Sequence, residues 1–336
     1  MAYEAATSSG EQGKPAAAGA GTIYNAKYWQ ERLADYRAQI EDKWKTQREN
    51  LAKLYSRDER ADAADREYAI FWANIEVLKE ATYARPPAPV VAPRFKGGSR
   101  LASVASEALE RCLVTTFEQS DLDGCMKEVR DEFLLYGRGA AWARLGLADG
   151  KPRVEFDDVD ADDFAHDPAR KWRQVKWVAR RAWLTREDGG KRFGETFARV
   201  PLKKRDPESA VAKRDDKAPV WEIWCKDSRK VHWIAEDFDE VLDEKDLWLD
   251  LTGFWPCPRP AYGTRVPKTL KPVPDIRQYK DQIEEINEYT ARIAALSESL
   301  RLKGFYPAGA GDLSEAIEAA LKSTDNRATL VPISSF

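Results

Sequence analysis

The hydrophobic period of this sequence changes near residue 140, and that change constrains the fold more than any other feature. Before it, apolar residues recur every three or four positions, as in Trp29, Leu33, Tyr36 and Ile40, which is typical of amphipathic helices. After it, stretches such as PRVEFDDV at 152–159 alternate apolar and polar residues as strands do. The sequence therefore predicts an α+β chain in which a helical block precedes a strand-containing block.

Four amphipathic segments make up the helical block, and their apolar residues span 29–54, 68–78, 101–117 and 122–136. The second segment stops before the proline run at 86–89, because proline removes backbone donors and disfavours helix before it. Gly137-Arg138-Gly139 breaks the last one. The strand-containing block adds a predicted hairpin around Asp227-Ser228 and a short helix capped by Thr185.

A proline-rich connector at 253–274 leads to a second long helical pattern. Asp275 and Gln278 fit a capping box, and a helix from 276 to 302 would be about 40 Å long. One face carries a heptad-like apolar stripe that predicts packing against other helices: Ile276, Tyr279, Ile283, Ile286, Ile293 and Leu300. The other face is mainly acidic: Asp281, Glu284, Glu285, Glu288, Arg292 and Glu298.

Six segments follow from these patterns. They are a disordered Ala/Gly/Ser-rich arm (1–22), a helical part (23–139), an α+β part (140–252), the connector (253–274), the long helix (275–303) and a small last unit (304–336). In the last unit we expect a loop FYPAGAG, a helix capped by Asp312 with Glu315, and an extended ATLVPIS stretch. Because this unit looks unclosed, we expect the sequence to be a fragment of a longer protein.

Composition argues against several function classes. A net charge of −3 lacks the positive surplus of conventional DNA-binding proteins, although it suits a protein past which DNA slides. Four dispersed cysteines and two histidines favour neither disulfides nor a zinc site. No apolar run suits a membrane span and no secretory signal is recognisable, so a cytoplasmic origin is expected.

Candidate chemistry is sparse. The acidic run at 157–163 could hold a divalent ion, but it lacks the glycine and the terminal glutamate of a calcium loop, which favours a solvated turn. His166 and His232 have no nucleophile setting and are interpreted as structural. The basic, aromatic stretch from Trp177 to Arg186, preceded by KWR, could bind single strands, but arginines stacked on tryptophans or paired with carboxylates explain it better.

Six stretches in this order resemble the portal proteins of tailed bacteriophages over about residues 25–336. They are NIEVLKEATYARPPAPVV, FLLYGRGAAWARLG, DFAHDPARKWRQVKWVARRAWLTREDGGKRFG, VWEIWCKDSRKVHWIAED, FWPCPRPAYGT and PVPDIRQYKDQIEEINEYTARIAALSESLRLKG. The resemblance implies a portal-type fold: a mainly helical wing with a β-rich insertion, a long stem helix at 275–303, and the start of a clip domain after it. The rest of the clip, a second stem helix, a tunnel loop and a crown would follow in such a protein.

The resemblance also implies a function. The chain would belong to a homo-oligomeric ring, twelve copies in this family, at the portal vertex of a virion assembled in the host cytoplasm. Double-stranded DNA would pass through the ring during packaging and ejection, with the acidic helix face toward the channel, although Arg277 and Arg292 on that side oppose this orientation.

Expected partners are the terminase large subunit, the major capsid and scaffolding proteins, and tail adaptor proteins, with no membrane. No catalytic, cofactor-binding or metal residue is expected, and no cofactor. The alternatives are a metal-dependent DNA-processing enzyme that uses 157–163, or another virion structural protein such as a tail adaptor. An ordinary solvated surface is the alternative for the acidic helix face.

Overall fold

The computed structural model describes residues 23–56, 68–93, 100–148, 151–204, 216–247, 254, 256–299, 302–307 and 328–333. These residues form a mixed α and β structure in which helices come first and strands dominate after residue 137. The predicted arm at 1–22 and the predicted helix capped by Asp312 lie outside the described residues. The predicted change from helices to strands near residue 140 is therefore confirmed.

The helical block contains α1 (Ala26–Tyr36), α2 (Asp42–Ser56), α3 (Ile70–Thr82), α4 (Arg100–Gln119) and α5 (Leu122–Tyr136). A π-helical turn, Arg37–Glu41, interrupts the long first helix, and the Asp42 N–H donates to the carbonyl of Arg37 five residues back. Gly137 ends α5 with φ 85°, a left-handed conformation that glycine adopts without steric cost. The four predicted helices are confirmed, with this interruption in the first.

Strands begin directly after α5. β1 (Arg138–Gly139) is short, and β2 (Ala141–Ala148) pairs with β3 (Lys151–Asp158) in an antiparallel hairpin. A second antiparallel sheet contains, in spatial order, β4 (Phe164–His166), β5 (Trp177–Leu184), β7 (Asp216–Cys225), β8 (Lys230–Ala235) and β9 (Val241–Asp246), and β6 (Lys203–Lys204) pairs with β7. The predicted hairpin is β7–β8. The helix α6 (Arg186–Phe193) begins after Thr185, whose Oγ1 accepts the Asp188 N–H at 3.1 Å, so the predicted cap is confirmed.

Side chains of β5 point alternately to the two faces of this second sheet, the main sheet of the fold, and both faces are packed. Trp177 and Ala179 lie in one hydrophobic cluster, where the Trp29 indole of α1 meets Trp177 edge-on with ring centroids 6.2 Å apart. Val178, between them in sequence, points into another cluster with Trp142. Burial of each such large side chain stabilises the fold by roughly 1.5–3 kcal/mol, so α1 is fixed on one face of the sheet and the β2–β3 hairpin on the other.

A buried arginine joins the helices to the sheet. Arg138 is 1% exposed; its guanidinium donates to Tyr36 Oη at 2.9 Å and to the Ala161 carbonyl at 3.2 Å. It also stands 4.4 Å from the ring centroid of Trp44, whose ring is 4.1 Å from the guanidinium carbon of Arg48. Because a buried charge needs hydrogen bonds and nearby π density, this cluster fixes how α1, α2 and β1 sit together.

The connector contains short pairings. β10 (Ala261–Tyr262) pairs with β1, and β11 (Thr264–Arg265) pairs with β12 (Pro272–Val273). A 3₁₀ turn at Asp275–Gln278 then precedes α7 (Lys280–Ser299). The predicted capping box is wrong, because Asp275 lies inside the 3₁₀ turn that precedes α7; its Oδ1 accepts the hydroxyl of Thr264 at 3.1 Å. α7 has 20 residues and is about 30 Å long, shorter than predicted.

The last described elements are two strands. β13 (Leu302–Pro307) and β14 (Ala328–Ile333) pair in parallel. The predicted extended ATLVPIS stretch is confirmed as β14. The first three residues of the predicted FYPAGAG loop lie instead in β13, where main-chain pairing with β14 holds them extended.

Candidate functional site

The first turn of the predicted apolar stripe anchors α7 to the helical block. Ile276 is 3% exposed and lies in a cluster with Phe71, Ile75 and Leu134. Tyr279 and Ile283 are half-buried against the same cluster. In addition, Asn287 Oδ1 accepts the Tyr68 N–H at 3.1 Å, which links α7 to the residues before α3. One end of α7 is therefore fixed to the body of the protein.

The remainder of the stripe is uncovered. Ile286 is 43% exposed and Ile293 is 66% exposed, and every described side chain from Ala291 to Ser297 is exposed. Tyr289, which the sequence prediction omitted, extends this apolar surface and is 51% exposed. The side chain of Glu298, and Leu300 as a whole, lie outside the described residues. An apolar surface on an extended helix is what a partner helix covers in an assembly.

The predicted acidic face lies opposite the stripe, because a helix turns by about 100° per residue. Asp281, Glu284, Glu285 and Glu288 are all exposed. Lys280 pairs with Glu284 at 3.2 Å, and Arg292 pairs with Glu288, so two of the four carboxylates are partly neutralised by neighbours one turn away. By sequence, five carboxylates, Glu298 included, and three cations, Arg277 included, leave this face with a net charge of −2.

A second apolar surface lies on the helices before the sheet. None of the described side chains of α4 is buried, and Leu101, Val104 and Leu109 are exposed. On α3, Trp72 and Val77 are exposed as well. The helical spacing predicted the helices themselves, and spacing alone does not reveal whether another element covers their apolar faces.

Arginine side chains pair with several carboxylates of the acidic run at 157–163. Asp157 accepts from Arg144 Nε at 2.8 Å and from Arg180 at 2.9 Å. Asp163 is buried and accepts from Arg181 Nε at 2.7 Å. Asp162 pairs with Arg48. The predicted solvated turn is thus wrong for Asp163, since these carboxylates join strands and helices through ion pairs.

A cleft of about 330 Å³ beside the acidic run contains Glu132. Burial raises the pKa of Glu132 to about 7, against the opposing effect of the hydrogen bond that it accepts from the Ala161 N–H at 3.1 Å. A carboxyl that titrates near neutrality in a cleft is a feature of acid–base sites. Among the described residues, however, no group of three or more His, Cys, Asp or Glu side chains is suited to holding a metal ion.

The basic stretch from Trp177 to Arg186 is engaged within the fold. The Arg180 guanidinium stands 5.3 Å from the Trp142 ring centroid and pairs with Glu222 at 3.2 Å. Arg181 stacks over Trp183 and pairs with Glu236 at 3.3 Å. The interpretation that these arginines stack on tryptophans and pair with carboxylates is confirmed.

The Glu236 carboxylate accepts hydrogen bonds from several arginine, lysine and tryptophan side chains. Burial alone would raise its pKa, but the N–H of Trp221 and the cations Arg37, Arg181 and Lys203 outweigh burial and hold the pKa at about 2. The Trp221 Nε1 donates to it at 3.0 Å and Arg37 at 2.7 Å. Ionised Glu236 therefore links the π-helical turn to the sheet.

Both histidines are buried within the fold. His166 Nδ1 lies 2.9 Å from the Asp167 carbonyl and Nε2 lies 3.3 Å from Tyr262 Oη. Desolvation, followed by the charge of Arg138, lowers the pKa of His166 to about 3. His232 contacts Ser228 Oγ at 3.1 Å and Glu244 at 3.2 Å. Their neighbours are packing and hydrogen-bonding groups, which agrees with the structural interpretation.

No protein-family model matches the chain, and no curated protein matches its sequence significantly. Within the part of the chain that the structure describes, none of the helices has the length and apolar character needed to span a bilayer.

Proposed function

We propose that this chain is the N-terminal portion of a portal-type subunit, a structural protein that assembles into a ring and conducts double-stranded DNA. The observation that carries the proposal is the uncovered second half of the α7 stripe at Ile286 and Ile293. Neighbouring copies in a closed ring would cover this stripe, because cyclic assembly presents the same helix to every neighbour.

The charge of α7 supports the same assignment. With the stripe against neighbouring copies, the opposite face, with its net charge of −2, would line the channel. Like charge keeps a duplex from adhering to the wall, because tight phosphate contacts would resist sliding. The exposed apolar residues of α4 offer a second surface for contacts between subunits or with capsid proteins.

The proposed partners follow from that role. They are further copies of the chain, twelve by the family resemblance, the terminase large subunit, the major capsid and scaffolding proteins, and a tail adaptor. The proposed location is the portal vertex of a virion, assembled in the host cytoplasm.

Electron microscopy with sedimentation analysis of the longer protein tests the assembly. We expect rings with a central channel, and we expect the double variant Ile286→Asp/Ile293→Asp to be monomeric, because both side chains would bring charge into the covered stripe. Ile23→Asp/Val90→Asp, which adds the same two charges at exposed positions outside α7, is the matched control and should still form rings. A uniformly monomeric wild-type protein under assembly conditions would refute the ring.

A cleavage assay separates this proposal from the enzymatic alternative. The portal assignment expects no cutting of DNA with Mg²⁺ or Mn²⁺. Divalent-dependent cleavage that Asp160→Ala and Asp162→Ala abolish would replace the structural assignment by a nuclease.

A further inference from the structure

A surface groove of about 1080 Å³ lies where three distant segments of the chain meet. The 170–173 segment, which leads into β5, and the 259–269 part of the connector both line it. Lys226, directly after β7, and Phe254 line it as well. The groove is distinct from the α7 surface and from the acidic run.

Cations dominate this groove. Of its 13 described lining residues seven are Lys or Arg and none is Asp or Glu: Arg170, Lys171, Arg173, Lys226, Arg259, Arg265 and Lys268. Among the residues that the structure describes, none of these seven forms an ion pair with a carboxylate. Most of them are exposed, so their charges are available to a ligand.

Many arginines outside this groove pair with carboxylates. Arg144 pairs with Glu155 at 2.8 Å, Arg181 with Asp163 at 2.7 Å, and Arg199 with Glu240 at 2.6 Å. The whole chain has a net charge of −3, so a long-range attraction for polyanions is absent. The groove therefore brings together seven cations that lie outside such pairs in the described part of the chain.

Two half-buried aromatic rings lie among these cations. Trp172 and Phe254 meet edge-on with ring centroids 6.2 Å apart. The Lys226 ammonium stands 4.0 Å from the Phe254 ring centroid, and burial lowers the pKa of Lys226. Cations interleaved with aromatic rings are the combination that single-stranded nucleic acid sites use, because phosphates meet the cations and bases stack on the rings.

We propose that this groove binds a single-stranded nucleic acid segment through its phosphate backbone. The groove is larger than a site for one phosphate, and its cations come from three segments, so they suit a ligand with repeated negative charge. The aromatic pair favours nucleic acid over an acidic peptide, which would use the cations alone. This inference does not depend on ring assembly, since one chain contains the whole described groove.

Fluorescence anisotropy with the full chain and a labelled 20-nucleotide DNA tests the proposal, beside a duplex of the same length and a polyglutamate peptide. The triple variant Arg170→Gln/Arg173→Gln/Arg259→Gln should weaken single-strand binding at least tenfold. It should also reduce the slope of log K against log salt by up to about 2, at about 0.7 per phosphate contact. Lys27→Gln/Lys43→Gln/Lys45→Gln removes the same charge from exposed positions outside the groove and should change binding less than twofold.

A second variant separates stacking from charge. Trp172→Leu should weaken single-strand binding several-fold and leave the salt slope unchanged, with a thermal melt to confirm folding. Tighter binding of the duplex or of polyglutamate than of the single strand would overturn the proposal. So would equal losses in the two triple variants, or no measurable binding at 50 mM salt.

Discussion

Replacing Glu132 by glutamine should stabilise the protein in a pH-dependent way. Burial raises the pKa of this carboxyl to about 7 in the folded chain from an ordinary value of 4.5. Between these values the folded chain holds a proton that the unfolded chain releases. The stability that Glu132 contributes is therefore present below pH 4.5 and is lost as the pH rises through 7.

The size of the effect follows from the two pKa values. The coupling of proton binding to folding lowers the free energy of unfolding by about 1 kcal/mol at pH 5 and about 3 kcal/mol at pH 8.5, because each pH unit between the two pKa values contributes about 1.4 kcal/mol. Glutamine removes the titration, and its amide oxygen still accepts from the Ala161 N–H, the bond that now measures 3.1 Å. We therefore expect Glu132→Gln to gain about 2 kcal/mol more stability at pH 8.5 than at pH 5.

Urea unfolding followed by tryptophan fluorescence measures this difference. Any constant cost of the amide cancels when the two pH values are compared, and so do the contributions of other titrating groups. Glu285→Gln, an exposed change of the same kind, is the control and should show a difference near zero. An equal effect of Glu132→Gln at both pH values, or a loss of stability confined to pH 8.5, would refute this account of the buried carboxyl.

Three further predictions concern the sheet and its neighbours. Glu236→Gln should lower the free energy of unfolding by about 3 kcal/mol at pH 7 and by much less at pH 2–3. The reason is that a carboxyl with a pKa of about 2 loses its stabilising charge only as the pH falls through that value. Urea titrations that give the same loss at both pH values would contradict this. His166 has a folded pKa of about 3, below its ordinary 6.5, so the free energy of unfolding should fall as the pH drops from 6.5. At pH 4.5 the wild type should have lost about 3 kcal/mol more than His166→Gln, and parallel acid titrations of the two proteins would contradict this. Gly189→Ala should lower the melting temperature because its Cβ would lie 1.9 Å from Phe197 Cε1, whereas Gly190→Ala, with open space around it, should not; equal melting temperatures would count against this packing.

Hydrophobic period and turn chemistry predicted the elements of this fold well. The order of helices and strands, the β7–β8 hairpin and the Thr185 cap follow from local signals that tertiary contacts do not override. The predicted cap at Asp275 failed because residues 275–278 form a 3₁₀ turn before α7 and are not its first turn. The Asp275 carboxylate accepts the hydroxyl of Thr264, eleven residues away in sequence, a contact that a local pattern does not show.

The candidate sites were less accessible to sequence reasoning. The α7 stripe was identified by its spacing, but only burial distinguishes Ile276, which the helical block covers, from Ile293, which nothing in the described chain covers. The cationic groove was missed almost entirely. Trp172 and its neighbours were noted, but the connector cations meet them only after the chain has passed through four strands of the main sheet.

The π-helical turn accommodates one extra residue between the two halves of the first long helix. Tyr36, Ile40, Trp44 and Arg48 are spaced by four, a repeat that drifts by about 40° per step around a regular helix. The wider turn at 37–41 offsets that drift, so all four side chains are buried. Deleting one residue there would restore a regular helix in which one of the spacings of four becomes three, so the four side chains would stay on one face. Related sequences should therefore accept the loss of one residue between Tyr36 and Trp44, whereas one further inserted residue would rotate Trp44 and Arg48 by about 100°, away from Arg138.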